Sequence, residues 1–216
     1  MDKRFAIFDM DGTLVDSMGY WQRLGREYLA SKGVTGEVEP VLRQIKPLTM
    51  TESAALFLRE FHLSGTPESI AAEMNAVMDD HYRRDIPLKP GVRAYLEALH
   101  QRGVRLCVAS ATAEPLIRAC LTRLGVASYF DFLLSCEEVG AGKNSPAVFL
   151  EAARRLGSVP EETAAYEDAL YAARTAKEAG FWTVGVYDES SAHHWERLQQ
   201  LADETVLRWT EAVERA

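Results

Sequence analysis

The sequence contains few cysteines, and those present are too far apart to form a recognisable motif. Cys107, Cys120 and Cys136 are the three, and no C-x-x-C pair occurs. This usage predicts neither a disulfide framework nor a structural zinc site. We expect Cys107 and Cys120 to be packing residues of the core.

Basic residues are also scarce relative to acidic ones. The chain has 24 Lys and Arg against 32 Asp and Glu, which gives a formal net charge of −8. General binders of nucleic acid or of anionic membranes neutralise phosphates with Lys and Arg, so this balance argues against both partners. No stretch resembles a signal peptide or a membrane span, and we expect a cytoplasmic protein. A small anionic substrate stays compatible, because a metal ion and one or two lysines can supply a local positive field.

The most informative stretch is DMDGTLVDS, which occupies positions 9–17 and follows a short apolar run at 4–8. The run is typical of a buried strand. Residues i and i+2 of a strand point the same way, so Asp9 and Asp11 can reach one site if the strand persists that far. Gly12 allows a sharp turn directly after them. Two carboxylates at the end of a buried strand need a positive partner, and a hard divalent cation such as Mg²⁺ fits that need best.

Two other interpretations of this stretch are open at this point. Asp-Gly is a common turn dipeptide, so both acids could be simple turn residues. D-x-D-G also opens a calcium loop, but an EF-hand needs an oxygen ligand at position 5, Glu at position 12 and a preceding helix. Here Thr13 and Tyr20 stand at those two positions and a strand precedes, so we do not expect calcium binding.

The next seventy residues carry helical patterns and no convincing strand. Apolar residues recur at helical spacing in stretches that begin near Tyr20, Thr51 and Thr66. Thr66-Pro67 is typical of a helix start, and the segment DIPLKPG at 85–91 ends the pattern. We therefore predict a small helical cap domain at 17–87, inserted between the two parts of a core domain at 1–16 and 88–216.

Strands and helices alternate from Gly91 onward. The candidate strands lie at 104–109, 132–134, 163–166, 183–186 and 205–207. This alternation predicts right-handed βαβ units, and the fold class is therefore α/β, with a Rossmann-like parallel sheet that carries helices on both faces. In such sheets ligands bind beyond the carboxyl ends of the strands.

Polar residues follow four of the predicted strands. They are Asp9 and Asp11, Ser110 and Thr112, the Lys143 loop, and Glu167 and Asp168. Taken singly, each has a simpler interpretation: the Ser110 and Glu167 pairs could cap the helices that follow them, and Lys143 could be a solvated loop residue. Their ordered arrangement at strand ends favours a single site.

Such a site could transfer a phosphoryl group. A carboxylate can attack phosphorus and form an aspartyl-phosphate, provided that positive charge offsets the repulsion between the two anions. Mg²⁺ held by Asp9, a backbone carbonyl near Asp11 and the Glu167/Asp168 pair would supply part of that charge, and Lys143 more. The hydroxyl of Ser110 and backbone N–H groups there, including that of Ala111, could bind phosphoryl oxygens. Asp11 could protonate the leaving oxygen and later activate water.

Four segments, in this order, resemble the four motifs of the haloacid dehalogenase-like superfamily: DMDGTLVDS, VASAT, GKNSP and YEDALYAARTAKEAG. The helical insertion after the first motif is similar to that of the subfamily with a small helical cap, which includes phosphoglycolate phosphatase and β-phosphoglucomutase. The resemblance implies Asp9 as nucleophile, Asp11 as general acid and base, and Ser110 and Lys143 as phosphate-binding residues. It also implies Asp9, Asp11 (by its backbone) and Asp168 as Mg²⁺ ligands, with Glu167 beside them.

The chain also departs from the motifs it resembles. The mutases of this subfamily carry a His twelve residues beyond the nucleophile, where this chain has Trp21. Asn144 and Ala147 replace the usual Pro and Asp of the third motif, and Ala169 and Ala172 replace the common Ser and Gly of the fourth. The acid at position 11 favours phosphoryl chemistry, because true dehalogenases lack it.

We expect the helical insertion to act as a lid with hinges near 15–17 and 84–90. Its residues that face the site would select the substrate, and the candidates are Tyr20, Trp21, Arg43, Lys46 and Thr49. The predicted function is a Mg²⁺-dependent phosphatase that acts on a small phosphorylated metabolite, as a monomer or weak dimer. A sugar-phosphate mutase and a phosphoacceptor module without turnover are the alternatives.

Overall fold

The computed structural model describes residues 3–45 and 50–215, and the chain forms two compact units. The first, here called the core unit, comprises Met1–Met18 and Ile86–Ala216. The second, here called the helical unit, comprises Gly19–Asp85.

A six-stranded parallel sheet forms the centre of the core unit, with the strand order β3-β2-β1-β4-β5-β6. Its strands are β1 (Phe5–Phe8), β2 (Arg105–Ser110), β3 (Phe132–Ser135), β4 (Thr163–Glu167), β5 (Trp182–Val186) and β6 (Glu204–Val206). All six predicted strands are present, and the predicted α/β fold class is confirmed.

The helical unit consists of helices through the part of it that the structure describes. They are α1 (Met18–Ser31), α2 (Glu39–Ile45), α3 (Met50–Phe61) and α4 (Pro67–Arg84). Thr66 caps α4, because its side-chain oxygen accepts a hydrogen bond from the Ser69 N–H. The Ser69 hydroxyl oxygen in turn accepts a hydrogen bond from the Thr66 N–H. α2 was not predicted from the sequence, since it has only seven residues and none of them is fully buried.

The helices of the core unit follow the strands. They are α5 (Val92–Gln101), α6 (Glu114–Arg123), α7 (Cys136–Val139), α8 (Ala147–Leu156), α9 (Leu170–Glu178), α10 (Trp195–Leu201) and α11 (Trp209–Ala212). α10 begins only at Trp195, because the preceding residues Glu189–His194 form a tighter 3-10 helix after an Asp188 cap. α11 is short, with four residues, and a 3-10 turn at Val213–Arg215 follows it.

Both faces of the sheet are covered. On one face Ile7, Cys107 and Ala165 join a buried cluster with residues of α8 and α9. On the other, Phe8 stacks on Tyr166 with ring centroids 4.2 Å apart. Cys107 and Cys120 are buried free thiols, as expected, and so is Cys136.

The register of the sheet determines what surrounds the end of β1. Phe8 pairs with Val108 of β2 and with Tyr166 of β4. Asp9 continues this ladder, because its backbone N–H donates to the Tyr166 carbonyl at 3.0 Å. The first motif therefore emerges between the carboxyl ends of β2 and β4.

Two segments of the core unit that border the helical unit run beside each other. Val15 and Leu88 form an antiparallel bridge. The Asp16 N–H donates to the Pro87 carbonyl at 3.0 Å, and the Lys89 N–H donates to the Leu14 carbonyl at 2.9 Å. These pairs hold together the segment that leaves the first part of the core unit and the segment that returns to it.

Candidate active site

Lys143 lies at the centre of a buried group of acids at the carboxyl end of the sheet. It belongs to the loop before α8 and is 4% exposed. Its ammonium donates to Asp9 Oδ1 and, at 2.6 Å, to Glu167 Oε1. The end of β1, the end of β4 and the loop after α7 therefore meet in one ion-pair network.

Burial and mutual charge shift the pKa values of this network. Burial raises the pKa of Asp9 and raises that of Glu167 well above its usual range, although Lys143 opposes both shifts. Burial alone would lower the pKa of Lys143, but the charges of Asp9 and Glu167 outweigh it and raise that pKa. The lysine is therefore a fixed cation, and its charge is shared between two carboxyl groups.

Asp168 follows Glu167 but faces different partners. Its Oδ1 accepts a hydrogen bond from the Thr13 hydroxyl at 3.4 Å. Burial, Asp9 and then Asp188 raise the pKa of Asp168 to about 8. A carboxyl group in this state would ionise readily if a cation were placed beside it.

Gly12 makes the close approach of Asp168 possible. Its φ is +77°, and a Cβ atom at this position would lie 2.6 Å from Asp168 Oδ2. Any other residue would strain the backbone in this conformation, and its Cβ atom would occupy the space of the carboxylate. The turn after Asp11 is thus shaped around Asp168.

Three carboxyl groups offer a set of metal ligands. One oxygen from each of Asp9, Glu167 and Asp168 can be chosen so that all three lie within 4.8 Å of one another, and all three residues are buried. Hard dications such as Mg²⁺ prefer this donor type, so the residues fit the ion that the sequence predicts.

The carboxylate of Asp11 is held separately from that set. Its Oδ1 accepts from the Ser17 hydroxyl at 2.6 Å, and its Oδ2 accepts from the Thr112 hydroxyl at 2.7 Å. Two hydroxyl donors therefore orient this acid, and one of them comes from the loop after β2. This arrangement is compatible with the predicted metal role of Asp11, which uses the backbone and leaves the carboxylate for proton transfer.

The predicted phosphate-binding residues at the end of β2, Ser110 and Ala111, lie in different environments. Ser110 is buried and its Oγ accepts from the Thr112 N–H at 3.1 Å, whereas Ala111 is exposed. Neither Ser110 nor Thr112 caps the next helix, because α6 has Ala113 at its N-cap and no side-chain cap.

The interpretation of Glu167 and Asp168 as caps of the following helix is also wrong. The N-cap of α9 is Ala169, and no side chain caps that helix. Glu167 instead binds Lys143, and Asp168 accepts from Thr13. The solvated-loop interpretation of Lys143 is likewise wrong, since that side chain is buried.

A second, largely buried ion pair near the site was not predicted from the sequence. Asp188 follows β5, and its Oδ2 lies 2.8 Å from the ammonium of Lys89. The Ser191 hydroxyl of the same loop donates to the Asp168 carbonyl at 3.4 Å. Asp188 is another acid just past a strand, so the rule that located the other four clusters would have found it.

Comparison with known proteins agrees with the motifs. A family model described as haloacid dehalogenase-like hydrolase matches residues 4–180. This chain belongs to that family. The match includes every acid of the site and Lys143, and it ends before Asp188.

The chain is similar in sequence to two phosphatases. It is 27% identical over 175 residues to the phosphorylated carbohydrates phosphatase of Thermotoga maritima, with 81% of each chain covered. It is 30% identical over 166 residues to hexitol phosphatase B of Escherichia coli K12, with 76% of this chain and 75% of the relative covered.

A solved structure shows the same architecture over almost the whole chain. It is a Thermotoga maritima protein provisionally described as a β-phosphoglucomutase, with a TM-score of 0.82 and 25% identity. The similarity covers 98% of this chain and 97% of the other. Hydrolases of this family generally use Mg²⁺, and the acidic cluster described above could hold such an ion.

The predicted specificity residues belong to the helical unit. The Tyr20 ring lies 4.8 Å from that of His81, and the Trp21 indole donates to the Tyr82 hydroxyl at 3.0 Å. Arg43 is exposed on α2. Lys46 and Thr49 lie outside the described residues. The specificity role of all five residues stays a prediction. Within the described ranges, no helix is long and apolar enough to cross a membrane.

Proposed function

We propose that this member of the haloacid dehalogenase-like hydrolases is a Mg²⁺-dependent phosphatase that forms an aspartyl-phosphate on Asp9. The observation that carries the proposal is the buried ion pair between Lys143 and Asp9, beside the carboxyl groups of Glu167 and Asp168. An aspartate that must approach a phosphate needs fixed positive charge nearby, and this arrangement supplies it.

In this proposal Lys143 has two tasks. It offsets the negative charge of Asp9 before the reaction, and it binds a phosphoryl oxygen as the substrate enters. Glu167 keeps the ammonium in place, because their contact of 2.6 Å is fully buried. The lysine is therefore preorganised and spends little free energy on reorientation when charge develops in the transition state.

The metal ligands in the proposal are Asp9, the backbone of Asp11, and Asp168, with Glu167 beside them. When bound, Mg²⁺ would neutralise negative charge on the carboxylates and polarise a phosphoryl oxygen. Thr13 and Gly12 hold Asp168 in place for this role, through the hydroxyl contact and the close turn.

Proton transfer is assigned to Asp11. Hydrogen bonds from Ser17 and Thr112 restrain both of its carboxylate oxygens. A general acid must be positioned within hydrogen-bond reach of the leaving oxygen, and a restrained carboxyl group meets that need better than a mobile one. After the leaving group departs, the same carboxylate can accept a proton from the water that hydrolyses the intermediate.

The substrate in this proposal is a small phosphorylated carbohydrate. Two relatives over three quarters of the chain are named as phosphatases of phosphorylated carbohydrates or of hexitol. We further propose that the helical insertion is a cap that selects the substrate, with 17–87 as the cap and 1–16 and 88–216 as the catalytic core.

A sugar-phosphate mutase is the second candidate, because a structural neighbour over 98% of the chain is described as a β-phosphoglucomutase. A mutase of the type that the sequence resembles uses a His at the position of Trp21. The indole N–H of Trp21 donates to Tyr82, and an indole does not titrate in the physiological range. This residue favours the phosphatase.

The test is hydrolysis of p-nitrophenyl phosphate by wild type, Asp9→Asn and a matched control, Asp131→Asn. Asp131 is an exposed acid of the core unit that pairs with Arg105. We expect Asp9→Asn to lose turnover by at least ~10³-fold with an unchanged circular dichroism spectrum, and Asp131→Asn to keep it. Retained turnover in Asp9→Asn would contradict the nucleophile assignment.

A substrate panel separates the two candidates. Release of inorganic phosphate from hexose and hexitol phosphates, with Mg²⁺ present, is expected of the phosphatase. Conversion of β-glucose 1-phosphate to glucose 6-phosphate without phosphate release would identify the mutase instead.

A further inference from the structure

The C-terminal helix α11 contacts the turn that carries the first motif. The Trp209 indole N–H donates to the Thr13 carbonyl at 3.1 Å, and this bond is buried. Trp209 is 3% exposed, although it lies only seven positions from the last residue of the sequence. The family match ends at residue 180, so it gives no role to Trp209.

Aromatic packing fixes the position of the Trp209 ring. Its centroid lies 4.9 Å from that of Tyr95, 5.8 Å from that of Tyr166 and 6.2 Å from that of Phe8. Phe8 and Tyr166 belong to β1 and β4, the two strands whose ends carry the acids. The indole is therefore held by the same strands that position the site.

A close backbone contact seats α11 as well. Gly91, which precedes α5, has a φ of +93°, and a Cβ atom there would lie 2.5 Å from the Thr210 backbone nitrogen. The two backbones approach so closely that no side chain fits between them. The start of α11 thus has little freedom to shift relative to α5.

The acceptor of the indole N–H is directly connected to the metal-ligand candidates. Thr13, whose carbonyl receives the bond, donates its hydroxyl to Asp168 at 3.4 Å. That distance is long for a hydroxyl donor, so a displacement of a few tenths of an ångström decides whether the contact persists. Gly12, the preceding residue, is the one shaped around Asp168.

We propose that Trp209 is a positioning residue of the active site: its indole N–H holds the Thr13 carbonyl and thereby fixes the Gly12–Thr13 turn against Asp168. The role assigned to Asp168 in metal binding rests on the proposed function. The positioning of the turn itself does not, so the two can fail separately.

The test compares Trp209→Phe with a matched control, Trp182→Phe. The Trp182 indole also donates a hydrogen bond, to Glu204 at 3.2 Å, but this bond is exposed and Trp182 is a half-buried residue at the start of β5. A further variant places β-(3-benzothienyl)alanine at position 209, since this amino acid keeps the bicyclic shape and lacks the N–H. It preserves the packing if Trp209→Phe proves poorly folded.

Amide hydrogen exchange of the segment 10–16 is the first readout, because the Leu14 and Val15 N–H groups both bond to the Met10 carbonyl within the turn. We expect this segment to exchange about fivefold faster in both position-209 variants, as the loss of one neutral hydrogen bond allows, and to be unchanged in Trp182→Phe. Calorimetric titration with Mg²⁺ alone should show a dissociation constant raised about fivefold in the same two variants. With p-nitrophenyl phosphate, kcat should fall by a similar factor while KM stays within about twofold.

Each outcome decides the proposal. Faster exchange and weaker Mg²⁺ binding in both position-209 variants support it. Wild-type exchange in the benzothienyl variant overturns it, since packing alone would then account for any effect of Trp209→Phe. A wild-type protein without phosphatase activity would overturn the proposed function, but the exchange comparison would still decide whether Trp209 fixes the turn.

Discussion

Replacing Lys143 by Met tests the charge balance of the site most directly. The change removes the ammonium and keeps a flexible apolar side chain of similar length in the buried position. Asp9 and Glu167 then lose the cation that they share. The two carboxyl groups must either stay neutral or ionise without a partner in a buried environment.

The expected loss follows from that burial. Removing one partner of a buried ion pair typically lowers the free energy of unfolding by about 3–5 kcal/mol, because the remaining charge is uncompensated. Lys177→Met is the matched control, because Lys177 forms an ion pair with Asp203 in which both side chains are partly exposed. A pair of that kind contributes about 1 kcal/mol or less.

The loss should depend on pH in a specified direction. Burial already raises the pKa of Asp9 and of Glu167 in the folded protein, and without Lys143 both pKa values rise further. A group whose pKa is raised by folding stabilises the fold at pH values below its unfolded pKa, and that contribution is lost as pH rises. The difference between Lys143→Met and wild type should therefore be small below about pH 4 and grow toward neutrality.

Denaturant unfolding followed by circular dichroism, without metal and at several pH values, measures this. An equal loss of stability at pH 4 and at pH 7.5 would refute the reasoning, because the ionisation of the two acids would then not be what Lys143 balances. Turnover of p-nitrophenyl phosphate by the variant should fall by about 10²–10³-fold, the usual effect of losing one preorganised electrostatic donor.

Three further outcomes are expected at the metal-ligand candidates. Gly12→Ala should weaken Mg²⁺ binding in calorimetry by at least about tenfold, because a Cβ atom would lie 2.6 Å from Asp168 Oδ2; unchanged affinity would contradict the tight turn. EDTA should abolish turnover of p-nitrophenyl phosphate and added Mg²⁺ restore it, whereas indifference to both would exclude the metal. Asp168→Asn should weaken Mg²⁺ binding by about tenfold or more relative to Glu167→Gln, because Glu167 already has Lys143 as its partner; equal losses would oppose this division.

Much of the fold follows from local patterns in the sequence. Apolar runs that alternate with helical segments are enough to predict the six strands and their parallel arrangement. The strand-end rule then brings Asp9, Lys143 and Asp168 to one edge of the sheet, although they are far apart in sequence. The convergence was predictable because parallel strands all end at the same edge.

Other features have no local signal. The hydrogen bond from Trp209 to Thr13 joins residues 196 positions apart, and the pattern around Trp209 predicts only a helix. The contact depends on where α11 packs, which is a tertiary property. The ion pair of Lys89 with Asp188 is similar, since a lysine in a linker shows no sign in the sequence of its buried partner.

The division of work between Glu167 and Asp168 also emerges only from the structure. The sequence treats them as one acidic pair, but successive side chains at the end of a strand diverge. One meets Lys143 and the other meets Thr13. Three buried carboxyl groups, counted with Asp9, thus face a single buried ammonium, and full ionisation would leave two negative charges unbalanced. Burial first, and then the charges of Asp9 and Asp188, raise the pKa of Asp168 to about 8. A dication beside these carboxyl groups would supply the positive charge that they lack.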